Sequence, residues 1–177
     1  QHMKTTRNTQ GLARLFAALL IAFCSATPLF AQAFDGSDDS KIYLGYTNVG
    51  GRHGVEIGYE EGINDFLSYG AKFTTLRYKD DEGEKESRFY DFSDLGIYLN
   101  YHFMEVLKLP DNFDIYVGPI LSTKTMSLQT GVRYNFGEVF GVYGSVQYNF
   151  FETITIGSNL GVYPEKFAFS AGFTISI

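Results

Sequence analysis

Along residues 130–150, TGVRYNFGEVFGVYGSVQYNF, the side chains separate into two chemical classes at every second position. Before the turn at Gly137 and Glu138, Thr130, Val132, Tyr134 and Phe136 share one phase, and Gly131, Arg133 and Asn135 the other. After it, Phe140, Val142, Val146, Tyr148 and Phe150 oppose Gly141, Tyr143, Ser145, Gln147 and Asn149. A period of two belongs to an extended strand, whose side chains point alternately to opposite faces. The same texture recurs between turn signals at residues 41–49, 54–60, 66–78, 89–103, 113–122, 126–136, 139–150 and 165–177. The chain is therefore expected to form eight antiparallel strands.

Glycine decides which face is wet. Gly45, Gly58, Gly70, Gly96, Gly118, Gly131, Gly141 and Gly172 all fall in the polar phase, one per expected strand. Eight strands closed into a barrel leave a bore just wide enough for side chains, so the face with glycines is read as the inside and bulky groups as excluded from it. The other phase carries residues such as Ile42, Leu44, Ile57, Leu95, Ile97, Leu99, Phe169, Phe173 and Ile175. In water they would form an apolar patch well beyond the few hundred Å² that soluble proteins expose. The expectation is an all-β, eight-stranded, up-and-down transmembrane barrel, since a sheet crosses lipid only when closure pairs every backbone group. Most segments reach the length of about 9 to 11 residues that a spanning strand needs, residues 54–60 being the shortest. Aromatic residues gather near strand ends, as in the interfacial girdles of such barrels.

The first residues read as an export signal. Lys4, Arg7 and Arg14 precede or enter an apolar core at residues 15–23, and Ala31, Gln32 and Ala33 supply a small-x-small cleavage site. Gln1 and His2 stand ahead of the first methionine and are read as a cloning remnant, residues 3–33 as signal peptide, and residues 34–177 as one barrel domain. Loss of the signal removes three basic residues and no acidic one, leaving 11 basic against 20 acidic and a net charge of −9. That balance argues against nucleic acid as a partner. Cys24 is the only cysteine and leaves with the signal; Phe23 ahead of it disfavours acylation as a lipoprotein. With the N-terminus in the periplasm, the connections near residues 50–53, 79–88, 123–125 and 151–164 are expected to face outward.

The stretches FDIYVGPIL, GVRYNFGEVFGVYGSVQYN and the terminal FAFSAGFTISI resemble the small outer-membrane β-barrel superfamily of OmpA/OmpX type. The start AQAFDGSDDSKIYLG, joined to that hairpin, more narrowly resembles uncharacterised small outer-membrane proteins of Bacteroidota. The resemblance spans almost the whole mature chain and implies fold and location, in the bacterial outer membrane, rather than an activity. Many members end in an aromatic residue recognised during barrel insertion, whereas this chain ends in Ile177, with Phe173 the nearest aromatic.

The inward phase carries a candidate polar network of Glu56, Lys72, Asp94, His102, Asp114, Arg133 and Gln147. Glu56 with Lys72, and Asp114 with Arg133, stand on adjacent strands at similar depth and are expected to pair or to meet trapped water, because an unpaired buried charge is costly. The expected consequence is a lumen filled by its own side chains; the alternative is a narrow channel or transporter for small or hydrophobic solutes. An acyl-transfer enzyme would need a nucleophile beside an oriented base near the outer rim. His53 in GGRHGVE is the histidine placed there, with no serine nearby in sequence, so the chain is read as non-enzymatic. Asp80, Asp81, Glu82 and Glu84 form a candidate cation site in an outer loop, against the simpler reading of a solvated charge run. Neither a cofactor nor a metal is expected. The expected partners are outer-membrane lipid, lipopolysaccharide and the assembly machinery, for a monomer with a structural or surface-interaction role.

Overall fold

The computed structural model describes residues 32–77, 92–152 and 165–177. The candidate cation site at Asp80, Asp81, Glu82 and Glu84 lies outside the described residues. Eight strands are present: β1 (Ser40–Val49), β2 (Arg52–Asn64), β3 (Leu67–Leu76), β4 (Ser93–His102), β5 (Phe113–Ser122), β6 (Thr125–Asn135), β7 (Phe140–Glu152) and β8 (Phe167–Ser176). Each pairs antiparallel with the next, and β8 returns to β1 to close the barrel. The connection between β4 and β5 contains a one-turn helix, α1 (Met104–Leu107), ended by Lys108 in the left-handed region at φ 51°.

Local sequence explains the hairpins. Val49 faces Arg52 across a two-residue loop in which Gly50 and Gly51 both have positive φ, 57° and 82°. Such tight loops demand that backbone geometry, and glycine enters it without a steric cost. The second strand departs from its expected limits of 54–60: it runs to Asn64, past an irregularity between Gly62 and Asn64. The turn then closes on the Asn64 side chain, whose oxygen accepts the Phe66 and Leu67 amides at 2.9 and 3.0 Å. Asparagine stabilises turns in this way by bonding its own downstream backbone.

Register carries the alternation from strand to strand. Ile42 faces Tyr59 and Ile175, and Leu44 faces Ile57 and Phe173, so apolar residues meet on the outer surface. Between them Gly45 lies opposite both Glu56 and Gly172 on the inner one. A slip of one residue would exchange the two surfaces, so the pattern enforces the register. Leu44, Ile97 and Phe173 are 57, 61 and 64 % exposed, whereas His102, Asp114 and Arg133 are 0, 0 and 2 % exposed.

Bulky groups are not excluded from the bore, contrary to the expectation drawn from glycine. Tyr43, Tyr98, Tyr116 and Tyr143 all point inward and are buried. Each sits over a glycine of another strand: Tyr43 over Gly58, Tyr98 over Gly70, Tyr116 over Gly131 and Tyr143 over Gly45. The glycines are inside because they vacate the volume that the rings occupy. The Tyr43 and Tyr143 rings meet edge-on at 5.4 Å, and Tyr43 and Tyr98 lie 6.4 Å apart, so the rings form a plate across the middle of the barrel.

A side chain at Gly58 would collide with the Tyr43 ring, whereas Gly144, on the outer phase, meets only Ser170 O at 4.0 Å. Gly58→Val is expected to destabilise the barrel by about 1–3 kcal/mol, the usual cost of overpacking. Gly144→Ala is expected to leave the urea midpoint nearly unchanged; equal midpoints for the two variants would contradict the ring-over-glycine packing.

Candidate functional site

The lumen is the candidate site, and its side chains are placed in layers by strand register. At the end away from the N-terminus, Asp94 accepts the Thr123 hydroxyl at 2.8 Å and the Lys124 amide at 3.1 Å. Val49, Leu76 and Ala168 form a buried apolar cluster near that end. Asp94 is thus engaged with the β5–β6 turn, and in register it stands opposite Thr74, which in turn faces Glu56.

Deeper in, Lys72 donates to Gln147 Oε1 at 2.8 Å and stands 4.0 Å from Glu56. Glu56 also accepts the Tyr143 hydroxyl at 2.7 Å and the Ser170 hydroxyl at 3.0 Å. Gln147 passes the chain on through its amide to Ser127 Oγ and Asn149 Oδ1, at 3.1 and 2.8 Å. The expected proximity of Glu56 and Lys72 is present, with their strongest contacts going to neutral groups.

The next layer is organised by Glu60, whose inward phase the sequence shows but whose central role it does not. Its Oε1 accepts Arg133 Nη2 at 2.8 Å, and its Oε2 accepts Asn100 Nδ2 at 2.9 Å. Asn100 in turn accepts the Gln129 amide at 2.8 Å. The Arg133 guanidinium lies 5.4 Å from the Tyr116 ring centre, within cation–π range. Asp114 and Arg133 are opposed in register, as their spacing implied, but their closest polar partners lie elsewhere. Arg133 reaches across the bore to Glu60 on β2, and Asp114 turns to His102 on β4. Inside a closed barrel, residues on strands distant in sequence are neighbours across the bore, which strand adjacency alone does not reveal.

His102 occupies the N-terminal end. Its Nδ1 is 2.7 Å from Asp114 Oδ2, its Nε2 is 2.8 Å from Ser68 Oγ, and Glu60 Oε1 lies 4.0 Å from Nε2. Phe34 stacks on the imidazole at 3.6 Å with an interplanar angle of 3°. Residues 32–39 close this mouth: the Asn135 amide donates to Gln32 O at 2.6 Å, and Ala33 N donates to Asp111 O at 2.6 Å. Asp39 pairs with Lys41, and Asp39 O accepts the Gly62 amide at 2.8 Å. Burial pushes the Asp39 carboxyl up from its ordinary range, and the Lys41 charge opposes that shift.

Serine, histidine and aspartate in hydrogen-bonded series are the ingredients of nucleophilic catalysis, but the series also needs room for a reacting atom beside the nucleophile. Ser68 is 0 % exposed. The central cavity, about 10 Å³, is lined by Glu56, Glu60, Tyr98, Arg133 and Tyr143 among others and does not reach Ser68 or His102. Its volume suits a single water. His53, outside the bore, contacts the Tyr46 hydroxyl and Asn48 Nδ2, the latter at 3.1 Å. Among the described residues no group of three or more His, Cys, Asp or Glu side chains is placed to hold a metal ion.

Residues 25–177 match the family described as Family of unknown function (DUF6646). No curated protein matches the chain.

Arg133→Ala strips Glu60 of its cation and leaves a buried carboxylate without its ion partner. The expected loss of stability is about 3–5 kcal/mol, read from urea unfolding. Replacing both partners, Glu60→Gln with Arg133→Met, is expected to recover part of that loss; a double variant as unstable as the single one would show that the pair is not the organising contact.

Proposed function

We propose that this chain, which belongs to the Family of unknown function (DUF6646), is a non-enzymatic barrel of the bacterial outer membrane with a structural or surface-interaction role. The observation that carries the reading is inverted burial: large apolar side chains cover the exterior and charged ones fill the interior. Hydrocarbon rewards that arrangement, and water penalises it.

Aromatic clusters at both ends of the belt support the same reading. Phe66, Tyr101 and Phe103 are in ring contact near the N-terminal end, and Tyr148, Phe150 and Phe167 near the opposite one. Amphipathic rings favour the two boundaries between lipid tails and water. Export by the N-terminal signal would place the N-terminal mouth toward the periplasm, with lipid and lipopolysaccharide around the belt. The resemblance to barrels of OmpA/OmpX type, and to small Bacteroidota outer-membrane proteins, belongs to this proposal and draws on the shared strand number and texture. Specificity toward any external partner then resides in the outer loops, because loops vary on a rigid scaffold.

A channel is the weaker reading, since the central cavity is about 10 Å³ and the Tyr43, Tyr98 and Tyr143 rings lie across the bore. An enzymatic reading rests on the Ser68, His102 and Asp114 series. A fluorophosphonate probe separates it: the expected result is no covalent adduct on Ser68, and labelling lost in His102→Ala would favour hydrolysis instead.

The protein reconstituted into phospholipid vesicles is expected to resist extraction by high salt and to migrate differently on gels before and after heating. Vesicles containing it should leak small solutes no faster than empty ones. Recovery of a folded chain in buffer without detergent would overturn the location, and size-selective flux would overturn the sealed lumen.

A further inference from the structure

Resting on the export reading just given, we infer that the leader is cut between Ala31 and Gln32, so that Gln32 and Ala33 remain as the head of a stopper built into the N-terminal mouth. Ala31 and Ala33 form the small-x-small site for a cut after Ala33, and a cut after Ala31 has the small Ala31 just before the bond with the aliphatic Leu29 two residues earlier. Reading from sequence alone favours the first. The contacts favour the second.

The fold uses Gln32 and Ala33. Gln32 O accepts Asn135 Nδ2 at 2.6 Å, Ala33 N donates to Asp111 O at 2.6 Å, and Ala33 O lies 3.4 Å from Arg133 Nη1 as its acceptor. These bonds tie the segment to β6 and to the connection ahead of β5. Ala33 and Phe34 are 0 and 1 % exposed, and Phe34 covers the face of His102. Behind them a 3-10 turn (Gly36–Asp38) packs against Gly62, where a side chain would strike Gly36 O.

Cleavage after Ala33 would remove all three of those bonds. It would also create an α-ammonium on Phe34 at the point where Arg133 now meets the Ala33 carbonyl. A second cation buried beside a guanidinium is unfavourable. Cleavage after Ala31 places the new ammonium on Gln32, which is half-buried, where water can reach it. The step is hydrolysis by an export peptidase: water adds across the Ala31–Gln32 peptide bond, the C–N bond breaks, and Gln32 gains the free amine.

The test is the intact mass and the N-terminal peptide of the full chain, expressed with its own leader in a Gram-negative host and recovered from the outer-membrane fraction. A chain beginning at Gln32 is the expected result. One beginning at Phe34 overturns this inference and leaves the location standing, whereas an uncut chain in the cytoplasm overturns both. Histidine modification by diethyl pyrocarbonate gives a second readout. In the chain beginning at Gln32, His53 should react and His102 should be protected. In a chain given a foreign leader cut ahead of Phe34, His102 labelling should rise several-fold; equal protection in the two chains would show that Gln32 and Ala33 do not hold the stopper.

Discussion

Closure of eight strands into one ring governs the rest of this molecule. The ring pairs each strand with two neighbours, β1 and β8 included, so no strand edge is left open. It also fixes the bore to a width that side chains fill. Everything inside must then be chosen to fit that volume and to satisfy its own polar groups. The tyrosine plate is the steric answer to that constraint. Rings on β1, β4, β5 and β7 occupy space surrendered by glycines on β1, β2, β3 and β6, so neither residue type is explained without the other.

The electrostatic answer is a set of buried polar pairs, one of which, Glu60 with Arg133, bridges the bore while Glu56 with Lys72 and His102 with Asp114 join adjacent strands. Glu60 is its centre, holding Arg133 from across the barrel while Asn100 fills its second oxygen. Lys72 and Glu56 are supported by Gln147, Tyr143 and Ser170, and Asp114 is supported by His102. Desolvating so many charges costs free energy that the pairs only partly return. What the lattice secures is specificity: each charged group meets its partner only when the strands are in register. The same lattice includes the hydrogen-bonded order of Ser68, His102 and Asp114. Its serine faces packed protein, and the face of its imidazole is covered by Phe34.

Among the described residues the N-terminal mouth is covered by residues 32–39 and the middle is crossed by tyrosines, and Val49, Leu76 and Ala168 form a buried apolar cluster toward the other end. Such a body is suited to rigidity more than to passage.

Strand existence, strand number and the identity of the inner face were legible along the chain, because period-two alternation is a local property that survives without knowledge of partners. Glu56, Lys72, His102, Asp114, Arg133 and Gln147 were legible as inward residues for the same reason. The extension of β2 to Asn64 was not, since EEGIN loses its alternation where the sheet turns irregular. The inward tyrosines left a trace that could have been read: Tyr43 and Gly45, Gly96 and Tyr98, Tyr116 and Gly118, and Gly141 and Tyr143 stand two apart in the polar phase. Which ring lies over which glycine, the choice of Glu60 rather than Asp114 for Arg133, and the meeting of Phe34 with His102 were decided only by tertiary structure. Those contacts depend on strand stagger and on the distance across the bore, and closure creates both from residues far apart in the chain.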